Sequence, residues 1–291
     1  MFFGSIPALV TPFSGGRVAE DTFREFVDWQ IVEGSNALVP CGTTGEVATL
    51  TSDEHRSVVA LAVEAAKGRV PVIAGCGTYS TAASIERIRV AADAGADAAL
   101  VVVPYYNKPS QAGLAAHFTA IADASPLPIV VYNVPSRTVT DISVDTLAKI
   151  AKHPKIVAIK DATGDLARVS AQRLACGADF CQLSGNDDMA LGFNAMGGVG
   201  CISVTANVAP RLCADFQKAM REGRWDEAVK LQDRLYPLHA ALFSDASPAP
   251  TKYALTRIKN SSLGELRLPL VEASDASKSA VDDALKHAGL I

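Results

Sequence analysis

Eight short runs of apolar, often β-branched residues recur at fairly even spacing up to Val204. Several runs are nearly continuous in Val, Ile, Leu or Ala instead of alternating with polar residues. Continuous runs are typical of strands that are buried on both faces, as in parallel sheets. The predicted strands are Ile6–Val10, Ala37–Pro40, Val70–Ala74, Ala98–Val103, Ile129–Tyr132, Ile156–Lys160, Phe180–Leu183 and Val199–Val204.

Segments with the helical spacing of apolar residues lie between these runs, and one opens with the capping-box pattern Thr51-Ser52-Asp53-Glu54. Eight alternating strand and helix signals predict βαβ units, for which a closed (β/α)8 TIM barrel is the simplest α/β architecture. A doubly wound open sheet is the alternative, although no GxGxxG follows the first strand. The predicted helices are Thr22–Glu33, Asp53–Lys67, Thr81–Ala94, Gln111–Ala124, Val144–Ala151, Leu166–Cys176, Asp187–Met196 and Pro210–Arg221.

The chain continues beyond the eighth unit with further helical patterns over Trp225–Phe243, Ala249–Arg257 and Asp275–Ala288. With 291 residues it is longer than a typical barrel of roughly 250 residues. We therefore predict a catalytic barrel over residues 1–223 and a C-terminal helical extension over residues 224–291.

Composition narrows the function classes. An apolar fraction of 49% with a net charge of −4 excludes a disordered chain, and a pI near 5.8 without a basic run predicts no nucleic-acid partner. No apolar run reaches about 18 residues, so no membrane span is expected, and no signal peptide is expected at residues 1–7. The six cysteines form no CxxC pair, which suits a reducing compartment. We expect a cytoplasmic protein.

Lys160 is the sharpest candidate for chemistry, because TIM barrels carry their active sites at the carboxyl ends of the strands. It ends the run Ile156–Lys160 and is expected to point into a narrow, largely apolar barrel mouth. The neutral amine that desolvation favours there is the nucleophile for a Schiff base with a carbonyl substrate. By position alone, a strand-end lysine with a solvated tip is the more common case, so its neighbours decide.

Three neighbouring strand ends supply those signals. The Gly-rich turn at Thr43 and Thr44 offers backbone N–H groups and hydroxyls to a small carboxylate. Tyr132 and Tyr106 can donate and accept protons along a hydrogen-bonded chain, and Arg137 can hold a second carboxylate in a bidentate pair. Taken singly, each feature also fits an ordinary turn, a packed tyrosine or a solvated arginine.

A metal site is not expected. Four of the five histidines fall in predicted helices, and His153 precedes the sixth strand at the opposite end of the barrel. Cys41, Cys76 and Cys201 are interpreted as small buried apolar residues. The glycines before the eighth strand lie on the wrong side for a phosphate site, so a substrate without phosphate is expected.

Together these motifs resemble, over almost the whole chain, the pyruvate-dependent class I aldolase family that contains dihydrodipicolinate synthase and N-acetylneuraminate lyase. The resemblance implies a lyase that condenses pyruvate with L-aspartate-4-semialdehyde through a lysine Schiff base. The product is 4-hydroxy-tetrahydrodipicolinate, in lysine and diaminopimelate biosynthesis, and no cofactor or metal is needed. A sister aldolase acting on N-acetylneuraminate or keto-deoxy sugars, or a non-catalytic keto-acid-binding barrel, are the alternatives. The motifs are Gly42–Glu46, Tyr105–Pro109, Tyr132–Thr138, Ile159–Gly164 and Gly198–Asn207.

The resemblance also implies roles for single residues. Lys160 forms the Schiff base, and Tyr132 moves protons in a relay with Thr43 and Tyr106. Tyr106 reaches in from a neighbouring subunit, and the implied assembly is a homotetramer built as a dimer of dimers. The substrate-binding residues implied are Thr44 for the pyruvate carboxylate, Ile202 through its carbonyl, Arg137 for the second substrate, and Gly185.

A regulatory site is expected to be weakened or lost. Feedback-regulated relatives bind lysine between subunits, with a glutamate for the ligand ammonium where this chain has Ala83. Tyr79 stands at an asparagine position and Ser52 at a histidine position. Weak or absent inhibition by lysine is therefore expected. The matching positions are Val47, Ala48, Ser52, His55, Tyr79, Ala83 and Tyr105.

Overall fold

Seven parallel strands form one curled sheet in the computed structural model, which describes residues 2–259 and 261–291. In chain order they are β1 (Gly4–Pro7), β4 (Ile73–Gly75), β5 (Ala98–Val102), β6 (Ile129–Asn133), β7 (Ile156–Asp161), β8 (Cys181–Ser184) and β9 (Gly200–Ser203). The spatial order is β1-β9-β8-β7-β6-β5-β4, so each strand pairs with a sequential neighbour and the first pairs with the last.

The predicted strand Ala37–Pro40 closes the barrel without forming a regular strand. Leu38 forms a parallel bridge with Val72, and Val39 forms one with Ala8. The proline that follows has no N–H to donate, so the ladder ends after two residues. With this segment between β1 and β4, the eight predicted units and the (β/α)8 TIM barrel are confirmed.

The helices follow the predicted spacing closely. The capping box is present: the Glu54 backbone N–H donates to Thr51 Oγ1, and the Thr51 N–H donates to the Glu54 carboxylate. The helix predicted over Asp187–Met196 begins only at Ala190. In the described residues the helices are α1 (Glu20–Val32), α2 (Ser52–Ala66), α3 (Thr81–Asp93), α4 (Gln111–Ala124), α5 (Pro135–Thr138), α6 (Val144–Ile150), α7 (Ala167–Cys176), α8 (Ala190–Ala195), α9 (Pro210–Arg221), α10 (Trp225–Ala241), α11 (Ala249–Ile258) and α12 (Asp275–Ala288).

Two local elements were not predicted. Strands β2 (Phe13–Ser14) and β3 (Arg17–Val18) form an antiparallel hairpin, and α5 is a single helical turn after β6. Gly15 and Gly16, with φ of 57° and 76°, form the hairpin turn. Paired glycines suit such a turn because both central residues require positive φ.

Alternation along the strands separates two apolar layers. On β6, Ile129 and Val131 pack toward the helices, whereas Val130 and Tyr132 belong to a separate cluster inside the barrel. On β7, Ala158 belongs to that inner cluster. Because side chains on a strand alternate between faces, Lys160 lies on the same inner side as Ala158.

The C-terminal helices pack on the barrel and on each other. Helix α10 contacts α9 and α12, and α11 contacts α12. The turn between α9 and α10 contains Gly223, the last residue of the predicted barrel segment. None of the helices in the described part of the chain is long and apolar enough to span a membrane.

Candidate active site

A cavity of about 320 Å³ opens at the carboxyl ends of the strands. Six of the residues predicted from sequence line it together, although they come from four separate strand ends. These six are Thr43, Thr44, Tyr132, Arg137, Lys160 and Gly185. Parallel strands bring these distant segments to one rim.

Lys160 lines this cavity. It pairs in register with Tyr132 across β6 and β7, and its Nζ lies 4.2 Å from the centroid of the tyrosine ring. Its exposed fraction is only 6%, and it forms no ion pair with any described residue. A buried amine without a carboxylate partner is free to act as a nucleophile.

The turn after the closing segment presents its backbone to the cavity. The Gly45 N–H donates to the Gly42 carbonyl, and the Glu46 N–H donates to the Thr43 carbonyl, each at 3.1 Å. Neither the Thr43 nor the Thr44 N–H donates to a described protein acceptor. Two adjacent unpaired N–H groups in a tight turn are suited to bind a carboxylate.

Arg137 lies on α5 at the cavity wall, exposed and without an ion-pair partner among the described residues. Hydrogen bonds to Asp141 fix the segment that follows α5. Asn133 Nδ2 donates to Asp141 at 2.7 Å, and Arg168 donates to the same carboxylate at 2.9 Å. The guanidinium is therefore available for an anionic ligand on a fixed support.

Two predicted residues do not line this cavity. Tyr106 is 91% exposed and has a positive φ of 70°. Ile202 is fully buried on β9, inside the barrel. A single chain therefore brings together six of the eight predicted catalytic and substrate-binding residues.

Seven further residues line the cavity and were not among the site residues predicted from the sequence. Phe243 and Ser247 reach it from the loop between α10 and α11, so the extension forms part of the wall. The buried Asn186 Oδ1 lacks a partner among the described residues. Four of the additional residues fall within motifs quoted above, and Asn186 follows the predicted Gly185. No sequence signal indicated Phe243 or Ser247. The additional lining residues are Val134, Ser136, Ala162, Asn186, Val204, Phe243 and Ser247.

Buried Asp187 joins the ends of β8 and β9. Its carboxylate accepts the backbone N–H of Val204 at 2.8 Å and of Thr205 at 3.2 Å, as well as the Ser203 hydroxyl. These bonds tie the segment between β8 and α8 to the end of β9 and hold the cavity wall at Val204.

The proposed regulatory positions lie in two environments. Ala48 and Ala83 are exposed, and Tyr79 packs edge-to-face on Tyr105 at 5.4 Å. His55 is buried, its Nε2 lies 2.8 Å from the Gly75 carbonyl, and burial lowers its pKa. Position 83 carries only a methyl group, so it supplies no charge for an ammonium.

The cysteines near the strand ends are buried thiols. Burial raises the pKa of Cys41, and it raises the pKa of Cys76 to about 12. Burial likewise raises the pKa of Cys201. Thiols of this kind are poor nucleophiles at neutral pH. Among the described residues, no group of three or more His, Cys, Asp or Glu side chains is placed to hold a metal ion.

The chain is similar to known proteins in both sequence and structure. The model of the dihydrodipicolinate synthetase family matches residues 1–288. A 4-hydroxy-tetrahydrodipicolinate synthase of Zymomonas mobilis is 66% identical, and one of Rhizorhabdus wittichii is 65% identical, each over the full length of both chains. The crystal structure of a dihydrodipicolinate synthase of Acinetobacter baumannii complexed with pyruvate is 41% identical, with a TM-score of 0.96 and full coverage of both chains. That from Aquifex aeolicus is 40% identical, with a TM-score of 0.95 over 99% of each chain.

Gly185 provides a test of the cavity geometry. A Cβ at this position would lie 2.7 Å from Ala162 Cβ, so Gly185→Ala is expected to lower the free energy of unfolding by about 1–3 kcal/mol through overpacking. Urea denaturation measures the loss. Adding Ala162→Gly removes the opposing methyl group and should restore most of it. Equal losses in the single and double variants would contradict this contact.

Proposed function

This chain belongs to the dihydrodipicolinate synthetase family, and we propose that Lys160 is the nucleophile of its reaction. The enzyme is a lyase that condenses pyruvate with L-aspartate-4-semialdehyde to give 4-hydroxy-tetrahydrodipicolinate, in lysine and diaminopimelate biosynthesis. The observation that carries the assignment of Lys160 is its burial in the wall of a cavity that Tyr132, Arg137 and the Thr43–Thr44 turn also line.

The first half-reaction uses the Lys160 amine. Its nitrogen attacks the pyruvate carbonyl carbon, the adduct loses water, and an imine forms. Loss of a methyl proton then gives an enamine. Tyr132 is the proton donor and acceptor, supported by its ring, whose centroid lies 4.2 Å from Nζ, and Thr43 and Tyr106 complete the relay.

In the second half-reaction, the enamine carbon attacks the aldehyde of aspartate-semialdehyde. The amino group of that substrate then attacks the imine carbon, which closes the ring and releases the Lys160 amine. The Thr43 and Thr44 N–H groups hold the pyruvate carboxylate, with the Ile202 carbonyl nearby. Arg137 binds the carboxylate of the second substrate. Local groups of this kind are needed because the net charge of the chain is −4 and repels anions.

Gly185 shapes the wall beside the imine. The reaction requires no metal and no cofactor beyond the covalent pyruvate intermediate. The protein acts in the cytoplasm, without nucleic-acid or membrane partners, as a homotetramer built as a dimer of dimers. Residues 1–223 form the catalytic barrel, and residues 224–291 form an extension that supports it.

Trapping with borohydride tests the nucleophile. Pyruvate plus borohydride should add one reduced pyruvate to Lys160, detected by peptide mass, and Lys160→Ala should give no adduct. Lys218→Met serves as the control, because Lys218 is exposed and does not line the cavity. This variant should still form the adduct on Lys160. A coupled assay with aspartate-semialdehyde should show turnover, and N-acetylneuraminate cleavage should be absent. An adduct on another lysine, or faster cleavage of the sugar, would overturn the proposal.

Tyr106 is proposed to act in the cavity of a neighbouring subunit, as its exposure in the single chain supports. Tyr106→Phe should lower kcat at least tenfold without lowering the melting temperature, since an exposed hydroxyl contributes little to packing. Mixed oligomers of Tyr106→Phe with Lys160→Ala chains should regain activity, because one cavity then holds both intact residues. No gain on mixing, or a fully active monomer, would contradict the exchange.

Lysine is proposed to inhibit weakly or not at all, because position 83 lacks a carboxylate for the ligand ammonium. Steady-state assays across a lysine titration measure the response. Ala83→Glu should increase the inhibition, whereas the neutral Ala83→Gln should leave it unchanged. Strong inhibition of the unaltered enzyme at sub-millimolar lysine would refute the hypothesis.

A further inference from the structure

The turn that faces the cavity ends in a buried ion pair. Glu46, the last residue of that turn, lies 2.5 Å through Oε1 from the Nζ of Lys252 on α11. Both side chains are completely inaccessible to solvent. Neither residue lines the cavity, so the pair plays no direct part in the reaction described above.

Further contacts surround both members of the pair. Lys252 Nζ also donates to the Glu265 carbonyl at 2.6 Å and lies 4.4 Å from the centroid of the Phe13 ring. The second carboxylate oxygen of Glu46 accepts a hydrogen bond from the backbone N–H of Arg267 at 3.1 Å. Each buried charge therefore has at least one further contact besides the ion pair, as a buried pair requires if it is to be retained.

Arg267 connects this network to the first turn of α2 and to the β2–β3 hairpin. Its guanidinium donates to Glu54 at 2.8 Å, to the Thr49 carbonyl at 3.1 Å, and to the Gly16 carbonyl at 2.6 Å. Its Cζ also lies over the Phe13 ring, 4.2 Å from the ring centroid. The extension thus holds the turn, the start of α2 and the β2–β3 hairpin together.

The conformation of the turn needs such support. Glu46 has a φ of 55°, in the left-handed region that a residue with a Cβ rarely adopts. Such strain persists only where the surroundings hold the residue in place. The Thr43 and Thr44 N–H groups lie in the same turn, so a shift of Glu46 changes the direction in which they point.

Helix α11 has a second connection to the cavity. Ser247 lines the cavity just before the helix begins, and Lys252 within the helix contacts Glu46 of the turn that carries Thr43 and Thr44. A movement of α11 therefore alters two walls together.

From this geometry we infer that Lys252, through Glu46, is a positioning residue that aims the Thr43–Thr44 turn at the carboxylate of the bound keto acid. The inference rests on the proposed function, in which that turn binds pyruvate. Loss of the Lys252 ammonium frees the turn. It therefore weakens the binding of pyruvate, both in adduct formation and in turnover. Binding of the second substrate, which depends on Arg137, is unaffected.

Borohydride trapping at increasing pyruvate concentration measures this effect directly. Lys252→Met keeps the aliphatic chain and should raise the pyruvate concentration for half-maximal adduct by roughly tenfold, because small displacements of binding groups have effects of this size. In steady-state assays, kcat/KM for pyruvate should fall by the same factor, and that for aspartate-semialdehyde should not. If the unaltered enzyme forms no adduct, the proposed function fails. If it does and half-saturation is unchanged in Lys252→Met, this inference fails.

Two further variants separate positioning from general stability. Glu46→Gln combined with Lys252→Met removes both buried charges, so the melting temperature should recover while half-saturation stays raised. This double variant decides the matter if Lys252→Met alone fails to fold. Leu285→Ala on α12 destabilises the extension away from the turn and should leave pyruvate half-saturation unchanged. An equal rise in Leu285→Ala, or recovery of half-saturation in the double variant, would overturn the inference.

Discussion

Closure of the parallel hydrogen-bonded ladder is the constraint on which the site depends. Each strand pairs with its neighbour in the same direction, and the bridges of Leu38 and Val39 complete the circle between β1 and β4. All strands therefore end at one rim, where a lysine, a tyrosine, an arginine and a Gly-rich turn meet although they are distant in sequence. The register of β6 on β7 then fixes which residues are adjacent, and it places Tyr132 beside Lys160.

The two buried lysines illustrate how the surroundings of an amine decide its use. Lys252 has a carboxylate, a carbonyl and an aromatic face around it, so its charge is neutralised and its position is fixed. Lys160 is also buried but forms no ion pair among the described residues, and its side chain ends in an open cavity. The first arrangement holds structure together, whereas the second leaves the nitrogen accessible to a ligand in the cavity.

Much of the fold and site could be predicted from local patterns. The bounds of α4, α9 and α12 match the prediction, because apolar spacing and capping residues act within a few turns of helix. Lys160, Tyr132 and Arg137 were recognisable because they follow apolar runs at strand ends. The β2–β3 hairpin was missed even though its Gly-Gly turn is a local signal. The bonds from Asp187 to the end of β9 were not predictable, since they join residues sixteen and seventeen positions apart.

The sequence by itself determined the alternation of strands and helices, the strand-end chemistry and the family. The strand-end chemistry is here the choice of candidate residues, and all three are consequences of residue type and short-range spacing. Only the tertiary structure decided that the extension supplies Phe243 and Ser247 to the cavity and that Lys252 is paired with Glu46. The physical reason is that such contacts join segments some two hundred residues apart. Their formation depends on how complete helices pack on the barrel, which no local pattern records.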